Sequence, residues 1–283
     1  MSTHEPPCLV TSKWLAEQIT RPGVHVVDAS MRKVVGRVPL EYNELTVIPG
    51  SFYLNLEQDL TDTSAALPNT FPKAEQVTLV LQQLGINRDD TIVLYDNQGI
   101  YSAPRAWVIL KAMGLKHVCL LDGGLPQWLA DGYAAAESYA LPGLQRGNFV
   151  ASFNKSWLVS SKEVLSATQS GASTIIDARS AERFMGRKEE PRADMRSGHI
   201  RGSLNLPFTE VLDDHRFKKA GELEEAFIAL IGSKSPRLIF TCGSGITACI
   251  LMFAASLAGF PALQLYDGSW AEWGADKQLP IGS

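Results

Sequence analysis

Residues 238–254 read LIFTCGSGITACILMFA. Residues 92–110 read IVLYDNQGIYSAPRAWVIL. Both run from a short continuous apolar stretch, through a glycine-containing loop, into a longer apolar segment. That is the pattern of a buried strand turning into a buried helix. The stretches match with Asp96 set on Cys242, an offset of 146 residues. Three further pairs keep the same order. VHVVDASMR around Asp28 resembles TIIDARSAER around Asp177. VIPGSFYLNL around Gly50 resembles HIRGSLNLPF around Gly202. CLLDGGLPQWLADG around Asp122 resembles LQLYDGSWAEWGAD around Asp267. Their offsets are 149, 152 and 145 residues. Four blocks in one order at nearly one spacing indicate a domain present twice.

The 283 residues allow two ordinary domains. Pro142, Gly143 and Gly147 interrupt the segment between the copies, so the boundary is placed at 146/147, with domains over 1–146 and 147–283. Strands are predicted at Val24–Val27, Thr91–Leu94 and Val118–Leu121, with counterparts at Ile175–Ile176, Leu238–Phe240 and Leu263–Leu265. Helices are predicted at Ala74–Leu84, Ala103–Met113, Lys162–Thr168 and Thr247–Ala258. Continuous apolar strands separated by helices imply an α/β fold, each copy a mainly parallel sheet covered by helices on both faces.

Composition narrows the function. With 45% apolar and 20% charged residues the chain is globular rather than disordered. Twenty-six basic against thirty acidic residues leave no basic footprint for nucleic acid. The opening MSTHEPPCLV lacks the form of a secretory signal, and the apolar run Cys249–Phe260 is too short to span a bilayer. The expectation is a cytoplasmic protein that binds neither membrane nor nucleic acid. Four cysteines without a CxxC pair suggest neither a disulfide scaffold nor a metal site, and reduced thiols are expected. No histidine has a partner at metal-ligand spacing, so no metal is expected. No glycine-rich nucleotide motif occurs, so no cofactor is expected either.

The chemistry falls where the copies differ. Cys242 ends a strand, and Gly243, Ser244, Gly245, Ile246 and Thr247 lead into a helix. Glycines let successive N–H groups turn inward as an anion cradle, and a helix N-terminus adds partial positive charge. Both favour a thiolate nucleophile, a persulfide or an oxyanion. Cys249 and Cys119 read as packing residues. Trp128, Trp270 and Trp273 read as core.

The DAR at Asp177–Arg179, GHIRGSLNLPF at Gly198–Phe208, YDGSWAEW at Tyr266–Trp273 and SAPRAW at Ser102–Trp107 resemble the rhodanese-type sulfurtransferases over nearly the whole chain. The resemblance implies tandem rhodanese-like domains, the first inactive because Asp96 stands at the cysteine place. The Cys242–Thr247 loop is similar to that of the 3-mercaptopyruvate sulfurtransferases. Thiosulfate sulfurtransferases tend to carry basic residues after the cysteine, where Gly243 and Ser244 are neutral. A cysteine phosphatase would need Arg at position 248, which is Ala248, so the phosphoryl transition state would lack its charge partner.

The same resemblance implies that Arg183 and Arg192 bind the substrate's carboxylate and carbonyl. It also implies that Ser244, with an acidic residue matched by Glu57, takes part in proton handling. The family's histidine in that relay is replaced by Asn69, which cannot act as acid or base near neutral pH. Arg179 reads as a structural ion-pair partner, and His199 as a fold element. The expected reaction moves sulfur from 3-mercaptopyruvate through a Cys242 persulfide to thioredoxin, glutathione or cyanide, releasing pyruvate. A thiosulfate:cyanide sulfurtransferase, and a non-catalytic sulfur carrier or regulatory module, are the alternatives.

Overall fold

A computed structural model describes residues 8–192, 195–232 and 237–282; His4 lies outside them. The first half runs β1 (Cys8–Val10), α1 (Ser12–Gln18), β2 (Val24–Asp28), β3 (Phe52–Tyr53), α2 (Ala74–Gln83), β4 (Thr91–Tyr95), α3 (Ala103–Ala112), β5 (Val118–Leu121) and α4 (Gly124–Ala130). The second runs β6 (Leu158–Val159), α5 (Ser161–Ser170), β7 (Thr174–Asp177), α6 (Ala181–Phe184), β8 (His199–Ile200), β9 (Leu204–Asn205), β10 (Leu212–Asp213), β11 (Arg216–Phe217), α7 (Ala220–Ile231), β12 (Leu238–Thr241), α8 (Thr247–Leu257), β13 (Leu263–Tyr266), α9 (Ser269–Trp273) and β14 (Ile281–Gly282).

The two large sheets have one topology. Their orders are β1-β5-β4-β2-β3 and β6-β13-β12-β7-β9, and every pairing in them is parallel. The predicted central strands are present within a residue or so of the expected bounds. β5 and β12 are buried along their whole length, which is why they read as unbroken apolar runs rather than alternating ones.

The halves share one core. α8 is buried from Ala248 to Ala255 with little amphipathicity, and α3 is nearly as enclosed. Each packs on its own sheet and against the other. Trp107 meets Phe253 edge to face at 4.8 Å. A helix apolar on all sides needs such a second partner. The segment around the 146/147 boundary is strapped to the first half. Gly147 N–H donates to the Gln82 carbonyl, Ser152 to Met113 and Asn154 to Ala112. A Cβ on Gly147 would lie 1.9 Å from the Ile86 carbonyl oxygen.

One expectation is corrected. Cys119, within β5, is disulfide-bonded rather than reduced, while Cys242 and Cys249 are free. Its place in an apolar strand gave no signal, because a local segment does not record a bond to a residue elsewhere. No described helix is long and apolar enough to cross a membrane.

The first strand blocks of the two halves differ in charge. Asp177 is paired with buried Arg179 at 2.7 Å, but its counterpart Asp28 is followed two residues later by Ser30. Asp28 Oδ1 accepts from Ser30 N–H and hydroxyl, and Oδ2 from the Tyr139 hydroxyl at 2.9 Å. Burial nevertheless pushes its carboxyl above the usual range. The folded state then holds a proton where the unfolded chain has released it. Stability is full below the unfolded pKa of about 4 and falls as pH rises through the folded value. Asp28→Asn keeps both hydrogen-bonding sides, since the amide can donate to Tyr139. It should stabilise the protein at pH 7, because the neutral amide carries no penalty for burying a charge. Thermal melts should show that gain shrinking as pH falls toward 4; a gain independent of pH would contradict the assignment.

Candidate active site

The loop after β12 is held from both sides. Below it, Cys242 N–H donates to Ser269 Oγ at 3.2 Å, while the carbonyls of Cys242 and Gly243 accept from the N–H groups of Trp270 and Ala271 at 3.0 Å. Gly245 has φ +78°, and a Cβ there would approach Arg105 Nη1 and the Asp267 carbonyl to 3.1 Å. Both backbone angle and space therefore demand glycine. A Cβ on Gly243 would stand 3.1 Å from Arg183 Nη2, so this glycine lets the guanidinium close on the loop. No side chain caps the start of α8, whose N-terminus faces the loop with its partial positive charge.

The equivalent loop of the first half shows what such a backbone does. Asp96, fully buried, folds its carboxylate back so that it accepts from the N–H groups of Gln98, Tyr101, Ser102 and Ala103 at 2.8–2.9 Å. That loop is an anion cradle filled by its own side chain. Cys242 stands at the same place with no carboxylate.

Above the loop lies a cavity of ≈ 260 Å³ between the halves. Cys242, Gly243, Ser244, Ile246 and Thr247 line it, together with Arg183, Arg192 and Glu57. The expected site residues thus converge, except Gly245, which faces Arg105 and Asp267 behind the loop. Cys242 is only 2% exposed.

Arg183 donates through Nε and Nη2 to the Glu190 carboxylate, which also accepts from Arg179 Nη1 at 2.8 Å. The Glu190 side chain is 1% exposed. Although the preceding Arg187, Lys188 and Glu189 are exposed, it is a buried clamp fixing one face of Arg183. Arg192 is exposed and reaches the Gly243 carbonyl only at 3.5 Å. Glu57 Oε2 accepts from Arg32 N–H at 3.3 Å. Arg179 bridges Asp177 and Glu190 and stacks over Trp270 at 4.4 Å. His199 Nδ1 is bonded to the Phe184 carbonyl, away from the cavity lining.

Three lining residues with polar side chains, Asn69, Lys33 and Tyr101, escaped the sequence reading as site members. Asn69 noted there only as a departure, has φ 57° and aims Nδ2 at Ser244 Oγ (2.9 Å) and the Ser244 carbonyl (3.3 Å). Lys33 adds a third cation at the rim. The Tyr101 hydroxyl accepts from Val35 N–H at 2.7 Å and donates to the Val35 carbonyl at 3.4 Å, and burial pushes the phenol up to about 12. It is therefore a neutral donor at physiological pH. The repeat held a signal for Tyr101, which aligns with Thr247 of the loop. Among the described residues no cluster of three metal-ligating side chains occurs.

A parallel sheet whose loop presents a cysteine at a helix N-terminus, built twice with the cysteine kept once, defines a tandem α/β domain protein of one kind. The rhodanese-like domain model matches residues 11–131 and 160–276, and the chain belongs to that family. It is 37% identical to a 3-mercaptopyruvate sulfurtransferase of Escherichia coli (strain K12) over 275 residues, covering 96% of each chain. It is 34% identical to a thiosulfate sulfurtransferase of Cricetulus griseus, covering 94% of this chain and 91% of that one. The crystal structure of the 3-mercaptopyruvate sulfotransferase SseA from Escherichia coli superimposes with a TM-score of 0.81 at 34% identity, covering 93% of this chain and 99% of that one.

Proposed function

We propose that the protein is a cytoplasmic 3-mercaptopyruvate sulfurtransferase, with an inactive domain over 1–146 and a catalytic one over 147–283. The observation that carries this reading is the meeting of Cys242, Arg183 and Arg192 in one cavity. Arg183 takes the donor's carboxylate on its planar fork, and Arg192 the neighbouring carbonyl. The Cys242 thiolate attacks the donor sulfur and the new S–S bond forms. The carbon–sulfur bond breaks, and its electron pair passes into the enolate of pyruvate. The loop amides and the start of α8 favour the persulfide anion that remains. An acceptor thiolate such as thioredoxin or glutathione, or cyanide, then attacks the outer sulfur. The S–S bond breaks and Cys242 returns as thiolate.

Ser244 and Glu57 are assigned to proton handling at the enolate carbon. Asn69 donates into the Ser244 oxygen, which leaves the serine hydroxyl hydrogen free to point at the substrate. An amide holds that orientation but relays no proton; the proton lost from the donor's thiol as the persulfide anion forms passes to water in the cavity, and that water delivers a proton to the enolate carbon. The same observation favours thiosulfate as the second reading, because departing sulfite needs no proton on carbon. Comparing kcat/KM for the two donors separates them. The expected result is a higher value for mercaptopyruvate; a higher value for thiosulfate would reassign the donor.

A further inference from the structure

The first half has no nucleophile, yet it sets a fully buried cation against the loop of the second. Arg105 lies in α3 with its side chain 0% exposed. Nη1 donates to Asp267 Oδ1 at 2.7 Å and to the Gly245 carbonyl at 3.3 Å, and Nη2 donates to the Asn69 carbonyl at 2.6 Å. The opposite oxygen of Asp267 accepts Phe71 N–H at 2.8 Å, and the Phe71 ring lies 5.2 Å from the guanidinium. Asn69 in turn holds both oxygens of Ser244. One side chain therefore ties the first-half segment Asn69–Phe71 and the loop residue Gly245 to Asp267.

Packing alone does not call for this charge. The repeat sets Leu251 at the corresponding place in α8, and Leu251 is equally buried. Apolar residues replace buried ion pairs with little or no loss of stability. Arg105 also leaves its Nε without a hydrogen-bond partner, a cost that an apolar side chain would not carry.

We propose that Arg105 is a positioning residue for sulfur transfer: it fixes Asn69 and Gly245 against each other, so that the Ser244 hydroxyl keeps its orientation beside Cys242. This rests on the reading of Cys242 as the sulfur carrier. It gives the inactive half a role in catalysis, since the loop is complete only with side chains from both halves.

The test is the steady-state kinetics of Arg105→Lys, Asn69→Gly and the double variant with mercaptopyruvate, normalised to active sites by the amplitude of the pyruvate burst. Lysine keeps a charge for Asp267, but a compact ammonium cannot span three acceptors as a guanidinium does. Glycine accepts the φ of 57° at position 69. The expected result for Arg105→Lys is a fall in kcat of at least about tenfold with KM within about twofold, because Arg183 and Arg192 are untouched. Asn69→Gly should move in the same direction, and the double variant should be no slower than Arg105→Lys within about twofold, since both act through one chain of contacts. Normalised kcat of Arg105→Lys within about twofold of the parent, or losses that multiply in the double variant, would overturn the proposal. If Arg105→Lys does not fold, Asp267→Asn is read in its place by the same thresholds. Absence of turnover in the parent enzyme would instead overturn the sulfurtransferase reading itself.

Discussion

Replacing Cys242 by Ser is expected to remove turnover, with kcat lower by at least about three orders of magnitude. The hydroxyl is a far weaker nucleophile than the thiolate and cannot carry sulfane sulfur. Among the described residues no second group at the loop is placed to substitute. Asp96 is locked into its own amide cradle. Cys249 is enclosed on α8, bonded through Sγ to the Gly245 carbonyl, and burial pushes its thiol up to about 12. The exchange changes one atom in a buried place, so stability should shift by no more than about 1 kcal/mol. Matching melting curves would show that the lost activity is chemical. Full turnover in Cys242→Ser would remove the persulfide from the mechanism.

Arg183→Ala is expected to raise KM for mercaptopyruvate and to cost about 2–5 kcal/mol in kcat/KM, the range for a charge partner lost from a desolvated pair. The structure sharpens this expectation. Arg183 is pinned by Glu190 on one side and approaches the loop at Gly243 on the other, so its orientation is set before the donor arrives. Its removal leaves Glu190 still paired with Arg179, which limits damage to the fold. Arg183→Lys keeps the charge and loses the fork, and should recover only part of the loss. Arg192, exposed and weakly bonded, should give a smaller effect. Kinetics unchanged by Arg183→Ala would return that residue to a purely structural role.

The sequence carried the architecture well because its signals were local. Continuous apolar strands at 91–94 and 238–240, with glycine loops and helices after them, pointed to a parallel sheet covered on both faces, and the repeat supplied the second copy. Cys242 stood out by its own strand–loop–helix segment, whereas Arg183 and Arg192 were named only through the family resemblance. The contacts that complete the site join distant parts of the chain. Asn69 meets Ser244 across 175 residues and Arg105 meets Asp267 across 162, and no local pattern records such a meeting. Arg105 is flanked by apolar residues and Glu190 is preceded by charged ones, and neither setting records burial. Both are buried because the fold brings a partner to them. The disulfide at Cys119 was hidden likewise, its strand reading only as core.

The central claim is that Cys242 alone carries the transferred sulfur. The direct measurement is mass spectrometry of the protein and its peptides after one equivalent of mercaptopyruvate, with no acceptor present, alongside pyruvate assay. The account predicts one added sulfur atom on the Cys242 peptide and one equivalent of pyruvate, with neither in Cys242→Ser. Pyruvate released without sulfur on Cys242, or sulfur found on another residue, would contradict it.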